Sequence, residues 1–438
     1  MHEIDCTVAL CDKVVINNVH VCDFWDIHNL EQQGIVTVNR SNGAGVIYTD
    51  MDEAYSSITL GKCALFDSFK VGTVNKDGFP YTYSRLELSI DRGDGTYNLR
   101  CWSIEEVKER LKEIERCLSD EWGILIDTDC SKLKTIEINK TIQLDKPYTS
   151  YLRPLSLLFR LLPKGKQKNL REIGKIEDIE VNDPHKTFYA GSEWEEIKVY
   201  DKTKQLNDKK KKEITTIKRE ATKEKQVTTL ERWNDIEERA TKEILDVHFI
   251  NKNFLRFELT LESKKIKEVF GCNDVSTITD DAINDYCNNF VEKNVVERWE
   301  TFKKQREKRL KKVIKEEWAK NQSLFVENLL LRAFNEEDVT GLPLVMDVHE
   351  IQPLLKSILP KHEQRQRRYR LFTRIVSKCK QNYGEKFVKD DENRMEEIVV
   401  KLSQKCSLPS DYTLKVGSAL EPSGFDGVFV LKKSAKSS

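Results

Sequence analysis

Phe254-Leu-Arg-Phe-Glu-Leu-Thr-Leu261 alternates, from Leu255 onward, between apolar side chains and the polar Arg256, Glu258 and Thr260. Successive side chains of a strand point to opposite faces, so Leu255, Phe257, Leu259 and Leu261 belong to a core and the polar three to the other side. Two more stretches share the pattern, Arg85-Leu-Glu-Leu-Ser89 and Thr135-Ile-Glu-Ile-Asn139. Each centres a glutamate on a polar strand face: Glu87, Glu137 and Glu258. An antiparallel sheet with one wet face accounts for all three.

Outward from these strands, Ile4 to Ile16 reads as a first strand, followed by hairpins through about Gly95, with Asp91-Arg-Gly-Asp-Gly95 a turn. Ser103-Ile-Glu-Glu106 is a capping box, and Ile104, Val107, Leu111, Ile114 and Leu118 continue it as a helix. Short strands are expected near 122–127, 134–144, 186–190, 195–200 and 254–261, and the lysine- and glutamate-rich stretch 202–245 reads as a helical insertion. From about Asp281 the periodicity is helical, including a long segment from Val295 to Ala333. The expected fold is α+β: an antiparallel sheet with packed helices over 1–280, a mainly helical region over 281–405, and a tail over 406–438.

The chain has 438 residues, 73 basic and 73 acidic, with 39% hydrophobic side chains. That composition is globular. No apolar run approaches the roughly 18 residues of a membrane helix, and Met1-His-Glu-Ile-Asp5 is no signal peptide, so a cytoplasmic location is expected. Eleven cysteines without a CxxC pair argue against a zinc finger or disulfide framework.

The zero net charge conceals an asymmetry. Residues 1–130 carry 12 Lys/Arg against 23 Asp/Glu, whereas 201–225 hold ten against five, 298–322 ten against four, and 361–380 eight against one. In the last run Arg365, Arg367, Arg368, Arg370 and Arg374 surround Leu371, Phe372, Ile375 and Val376 at helical spacing. Such a helix suits a phosphate backbone, although a solvated flank shows the same composition.

Two or three carboxylates on a rigid sheet make a hard oxygen site for Mg²⁺ or Mn²⁺, although any half-wet sheet produces the same alternation. In Phe188-Tyr-Ala-Gly-Ser-Glu-Trp-Glu-Glu-Ile-Lys-Val-Tyr-Asp-Lys202 a hairpin turns at Gly191-Ser192, and Lys198, Tyr200 and Lys202 share a strand face. Flanking ammonium groups favour a phenolate and attract a phosphate, which suits attack on DNA; an edge tyrosine beneath lysine stems is the structural alternative. Tyr189 is a second candidate nucleophile, and His185 a candidate ligand or base.

Val199-Tyr-Asp-Lys-Thr-Lys-Gln-Leu206, preceded by Tyr189-Ala-Gly-Ser192 and followed by Phe254–Leu261 and Lys267-Glu-Val-Phe-Gly271, resembles the gene II/X replication initiators of filamentous phages, and through them plasmid rolling-circle initiators and relaxases. The resemblance spans roughly residues 80–275. It implies a replication-initiator nuclease: a tyrosine, here Tyr200, nicks one strand of a replication origin, stays joined to the 5′ end and leaves a 3′-OH for a polymerase, with a host helicase as a further partner. It carries Arg256 and Glu258 into the site, with Glu87 on the upstream strand. Where the family often shows Arg-Ile-Asp, this chain has Thr135-Ile-Glu137, and the His-hydrophobe-His metal motif of the wider class is absent, so a metal would rest on Glu87, Glu137 and Glu258. Lys198, Lys202 and Arg256 are expected to position the DNA backbone. A mobilisation relaxase shares this chemistry; a non-catalytic origin-binding or copy-control protein shares the fold alone.

Overall fold

A computed structural model describes residues 10–24, 26–40, 48–50, 53–60, 65–76, 79–89, 102–167, 184–208, 211–212, 215, 252–335, 344–345, 347–384 and 391–404. The expected turn at 91–95, most of the insertion at 202–245 and the tail at 406–438 lie outside them; within the insertion, 202–208 is helical.

The strands are β1 (Leu10–Asn17), β2 (His20–Phe24), β3 (Val36–Arg40), β4 (Tyr48–Asp50), β5 (Glu53–Leu60), β6 (Ser68–Lys76), β7 (Phe79–Ser89), β8 (Ile124–Asp127), β9 (Lys132–Leu144), β10 (Phe188–Gly191), β11 (Glu195–Asp201) and β12 (Asn253–Glu262). Ten form one antiparallel sheet in the order β10-β11-β12-β9-β1-β7-β6-β5-β3, with β4 on β5, while β2 and β8 pair separately. The helices are α1 (Ile27–Gln32), α2 (Ile104–Trp122), α3 (Leu152–Leu161), α4 (Ser263–Phe270), α5 (Asp280–Val291), α6 (Glu297–Lys320), α7 (Phe325–Asn335), α8 (Ile351–Leu354), α9 (Arg365–Tyr383) and α10 (Asp391–Ser403). The α+β class and the large antiparallel sheet are as expected.

Alternation is carried across the sheet by register. Glu258 stands opposite Asn139 and Lys198, Arg256 opposite Thr141 and Tyr200, and Glu137 opposite Lys13 and Thr260. Val14, Ile16, Leu86, Leu88, Ile136, Ile138, Phe257 and Leu259 are buried on the other face. Their core is closed by α2, α3 and α5. The capping box of α2 forms as read: Ser103 Oγ accepts from the Glu106 amide at 3.1 Å, and Glu106 Oε2 accepts from the Ser103 amide at 2.9 Å.

The helical region divides between two cores. Trp299 and Phe302 of α6 and Met395, Ile398 and Leu402 of α10 pack with the sheet. Leu310, Val313 and Ile314 of α6 instead join α7, Leu344, Val345, Val348, Ile351 and Leu355, and Phe372, Ile375 and Cys379 of α9 in a second cluster. The expected region 281–405 therefore contributes to both, and α6 runs from one to the other. Lys140, buried beneath the sheet, donates to the carbonyl of Leu402 at 2.8 Å and to that of Gln404, tying the end of α10 to β9 with a cation where a helix dipole is negative. Among the described residues no helix is long and apolar enough to cross a membrane.

Candidate active site on the polar face of the sheet

The polar face is decided by which strands are neighbours. Because β11, β12 and β9 are consecutive in the sheet, Tyr200, Lys198, Arg256, Glu258 and Glu137 fall together. The Tyr200 hydroxyl donates to Glu258 Oε1 at 2.5 Å, and Lys198 Nζ donates to Glu258 Oε2 at 2.7 Å. One carboxylate thus holds a phenol and an ammonium group.

Flanking positive charge does not produce a phenolate. Lys198 Nζ and Lys202 Nζ stand 4.9 and 5.9 Å from the centre of the Tyr200 ring, over the π-system, with Lys202 also donating to Gln205 Oε1 at 2.7 Å. Burial raises the phenol well above its ordinary pKa; Arg256 pulls it down, and Glu258 and Asp12 push it up again. Tyr200 is a protonated phenol, 5% exposed, already bonded to a carboxylate that can take its proton. Burial acts on Lys198 in the lowering direction, but the Glu258 carboxylate prevails and its ammonium form is reinforced.

Asp12, absent from the expected set, enters through a bulge. The register of β1 against β9 shifts between Cys11 and Lys13, so Asp12 is the extra residue. Its Oδ2 accepts from Arg256 Nη1 at 2.8 Å, while Arg256 Nε donates to Thr141 Oγ1 at 3.0 Å. Arg256 is fully buried, so it braces Asp12 and Thr141 instead of facing a DNA backbone as expected. The sequence signal was the adjacent polar pair Asp12-Lys13 inside an otherwise apolar strand.

Glu137 is the diagonal neighbour of Glu258, since Glu258 faces Asn139 and Thr260 faces Glu137. Burial and the nearby Glu258 carboxylate push its pKa up to about 7, Asp12 adding in the same direction and Lys198 and Lys13 opposing. Glu137 makes no hydrogen bond or ion pair among the described residues. Glu87 shares the face but lies two strands away across β1, where Arg85 at 2.7 Å and Lys13 at 3.9 Å meet its carboxylate. The three glutamates therefore share a sheet face, and only Glu137 and Glu258 adjoin.

Among the described residues no three His, Cys, Asp or Glu side chains are grouped closely enough to hold a metal ion as they stand. Glu137 nevertheless offers an oxygen donor without a hydrogen bond beside the charges of Glu258 and Asp12, a set whose chemistry fits a hard divalent cation.

Tyr189 faces Lys198 and shares the surface, half-buried. His185 Nδ1 lies 2.6 Å from Asp201 Oδ2, while Asp201 Oδ1 accepts from the Lys204 amide at 2.9 Å; this pair fixes the chain where β11 becomes helical.

On α9 the five arginines differ. Arg368 donates to the carbonyls of Leu359 and Lys361, Arg374 to Glu327 at 2.8 Å, and Arg367 to Gln322 at 3.2 Å while covering Trp318. Arg365 and Arg370 are exposed and unengaged among the described residues. Tyr369, 67% exposed, lies between Arg368 and Arg370.

Compared with models of known protein families, with curated proteins and with solved structures, the chain matches none.

Proposed function

We propose that this protein is a rolling-circle DNA replication initiator, a site-specific endonuclease and ligase that nicks one strand of an origin through Tyr200. The observation that carries the reading is the hydrogen bond from the Tyr200 hydroxyl to Glu258. A phenol is a poor nucleophile at neutral pH, and a carboxylate at 2.5 Å is placed to accept its proton as attack proceeds. The phenolic oxygen bonds to phosphorus, the bond from phosphorus to the 3′ oxygen breaks, and that oxygen leaves with a proton as a free 3′-OH. Exchange of one phosphodiester for another conserves the bond, so the reverse step rejoins the strand without ATP.

Lys198, bound to the same carboxylate, is the ammonium group best placed to orient a phosphate, and Lys202 lies over the tyrosine ring. Glu137, with Glu258 and Asp12, would hold a Mg²⁺ or Mn²⁺ ion, which supplies charge neutralisation at phosphate oxygens. Arg256 acts through Asp12 as a positioning residue. The arginine face of α9 supplies duplex affinity, with Arg365 and Arg370 free to meet phosphates and Arg367, Arg368 and Arg374 partly committed to the fold. The reaction belongs in a cytoplasm containing the helicase and polymerase that use the exposed 3′ end. A mobilisation relaxase would use the same site.

The burial of Tyr200 favours a second reading, a non-catalytic origin-binding protein in which the phenol only supports Glu258. A single-stranded origin oligonucleotide with a 3′-bridging phosphorothiolate, whose 3′-thiol leaving group rejoins poorly and so traps the covalent product, separates them. Mass spectrometry of the digested protein should find the nucleotide on the peptide containing Tyr200. Absence of any adduct while the origin is bound would favour the second reading.

A further inference from the structure

The charge run at 298–322 takes no part in the chemistry above, yet the fold organises it. On α6, Lys304, Lys308, Lys311 and Lys315 follow one another at intervals of four, three and four residues, and all four are exposed. At 100° per residue they make one narrow ridge, opposite the face that buries Arg306, Leu310, Val313 and Glu317. At about 1.5 Å per residue the ridge is about 16 Å long. Lysines on the helices here commonly have an acidic partner a turn away: Lys108 with Glu105, Lys112 with Glu115, Lys265 with Glu268 and, on α6 itself, Lys303 with Glu300, Lys312 with Glu316 and Lys320 with Glu317. The four ridge lysines have no hydrogen bond or ion pair among the described residues, and neither has Glu307 at the ridge's edge. Like charges a turn apart weaken a helix by a few tenths of a kcal/mol per pair, so the arrangement carries a cost in the free protein.

The ridge also continues. Its next helical position is Trp318, and over that ring, 5.1 Å from its centre, sits the guanidinium of Arg367 on α9. The lysine line of α6 therefore runs into the arginine face of α9, along the helix that links the two cores.

We propose that Lys304, Lys308, Lys311 and Lys315 form a sequence-independent contact with the phosphate backbone of duplex DNA, continuous with α9. The inference depends on the replication-initiator reading only for naming DNA as the polyanion. Lysines on flexible stems, spaced along a ridge with no carboxylate bonded to any of them among the described residues, suit backbone phosphates better than base edges, which bidentate side chains read.

The test is the salt dependence of affinity. Binding of a fluorescent duplex of about 30 base pairs and unrelated sequence is measured from 50 to 300 mM salt for the wild-type chain and for Lys304→Gln/Lys308→Gln/Lys311→Gln/Lys315→Gln. The control is Lys108→Gln/Lys112→Gln/Lys265→Gln, which removes ion-paired lysines. Removing one lysine–phosphate pairing lowers the slope of log K against log salt by about 0.9, so the ridge variant should show a slope smaller by about 3 to 4 and the control an unchanged one. An unchanged slope in a ridge variant with wild-type circular dichroism overturns the proposal, as does a wild-type chain that does not bind the duplex. Plasmid nicking by wild type is scored separately. Nicking with an unchanged slope sinks the ridge alone, and a reduced slope without nicking sinks the nuclease alone.

Discussion

Asp12 and Arg256, 244 residues apart in sequence and separated in the sheet by the whole of β9, form a buried ion pair at 2.8 Å. The bulge that puts Asp12 on the polar face makes this pair possible, and the pair anchors the strands on either side of Glu137.

Breaking that pair from one side leaves a buried charge behind. Asp12→Ala should cost about 3–5 kcal/mol in urea unfolding, since the Arg256 guanidinium keeps Thr141 but loses its counter-charge. Replacing both partners, Asp12→Leu with Arg256→Met, should recover most of the loss. A double variant no more stable than Asp12→Ala would contradict this view of the pair.

Glu137 makes stability depend on pH. Its folded pKa of about 7 lies above the ordinary value of 4.5, so the folded chain holds a proton that the unfolded chain has released. Its contribution is fully present below about pH 4.5 and is lost as pH rises through about 7, by at most ~3 kcal/mol. Glu137→Gln should remove that decline. Parallel stability profiles of variant and wild type between pH 4.5 and 8 would refute the assignment.

The start of α2 is a local device. Ser103→Ala removes the acceptor for the Glu106 amide and should lower stability by about 1 kcal/mol while leaving DNA binding unchanged. Differential unfolding and a binding titration check the two halves of this statement.

The arginines of α9 should separate by role. Arg370→Gln, at an exposed and unengaged position, should reduce the salt slope of duplex binding by about 1 and leave the melting temperature unaltered. Arg368→Gln should instead lower the melting temperature, because its guanidinium joins α9 to the carbonyls of Leu359 and Lys361. Equal effects of both variants on slope and melting would remove the distinction.

Much of the fold was readable from local pattern. Period-two alternation located β7, β9, β11 and β12, and the Ser103 box located α2, because those signals involve residues within a few positions of one another. What was not readable depends on strand order. The sequence places Glu87, Glu137 and Glu258 on equivalent faces, but only the insertion of β1 between β9 and β7 separates Glu87 from the others. Asp12 was missed because a bulge is a property of two paired strands. The balance at Tyr200 between a charge-favoured phenolate and a tyrosine packed beneath lysine stems was left open because charge next to a residue is visible in sequence and burial is not; burial dominates. The long helical stretch likewise conceals that α6 changes cores near Arg306.

The most direct measurement is nicking of a supercoiled plasmid carrying the protein's own replicon, with Mg²⁺ or Mn²⁺, by wild type, Tyr200→Phe and Tyr189→Phe. Wild type and Tyr189→Phe should produce nicked circles with protein joined to the 5′ end, and Tyr200→Phe, which lacks the hydroxyl held by Glu258, should produce neither. Nicking and 5′ linkage by Tyr200→Phe at the wild-type level would contradict the account.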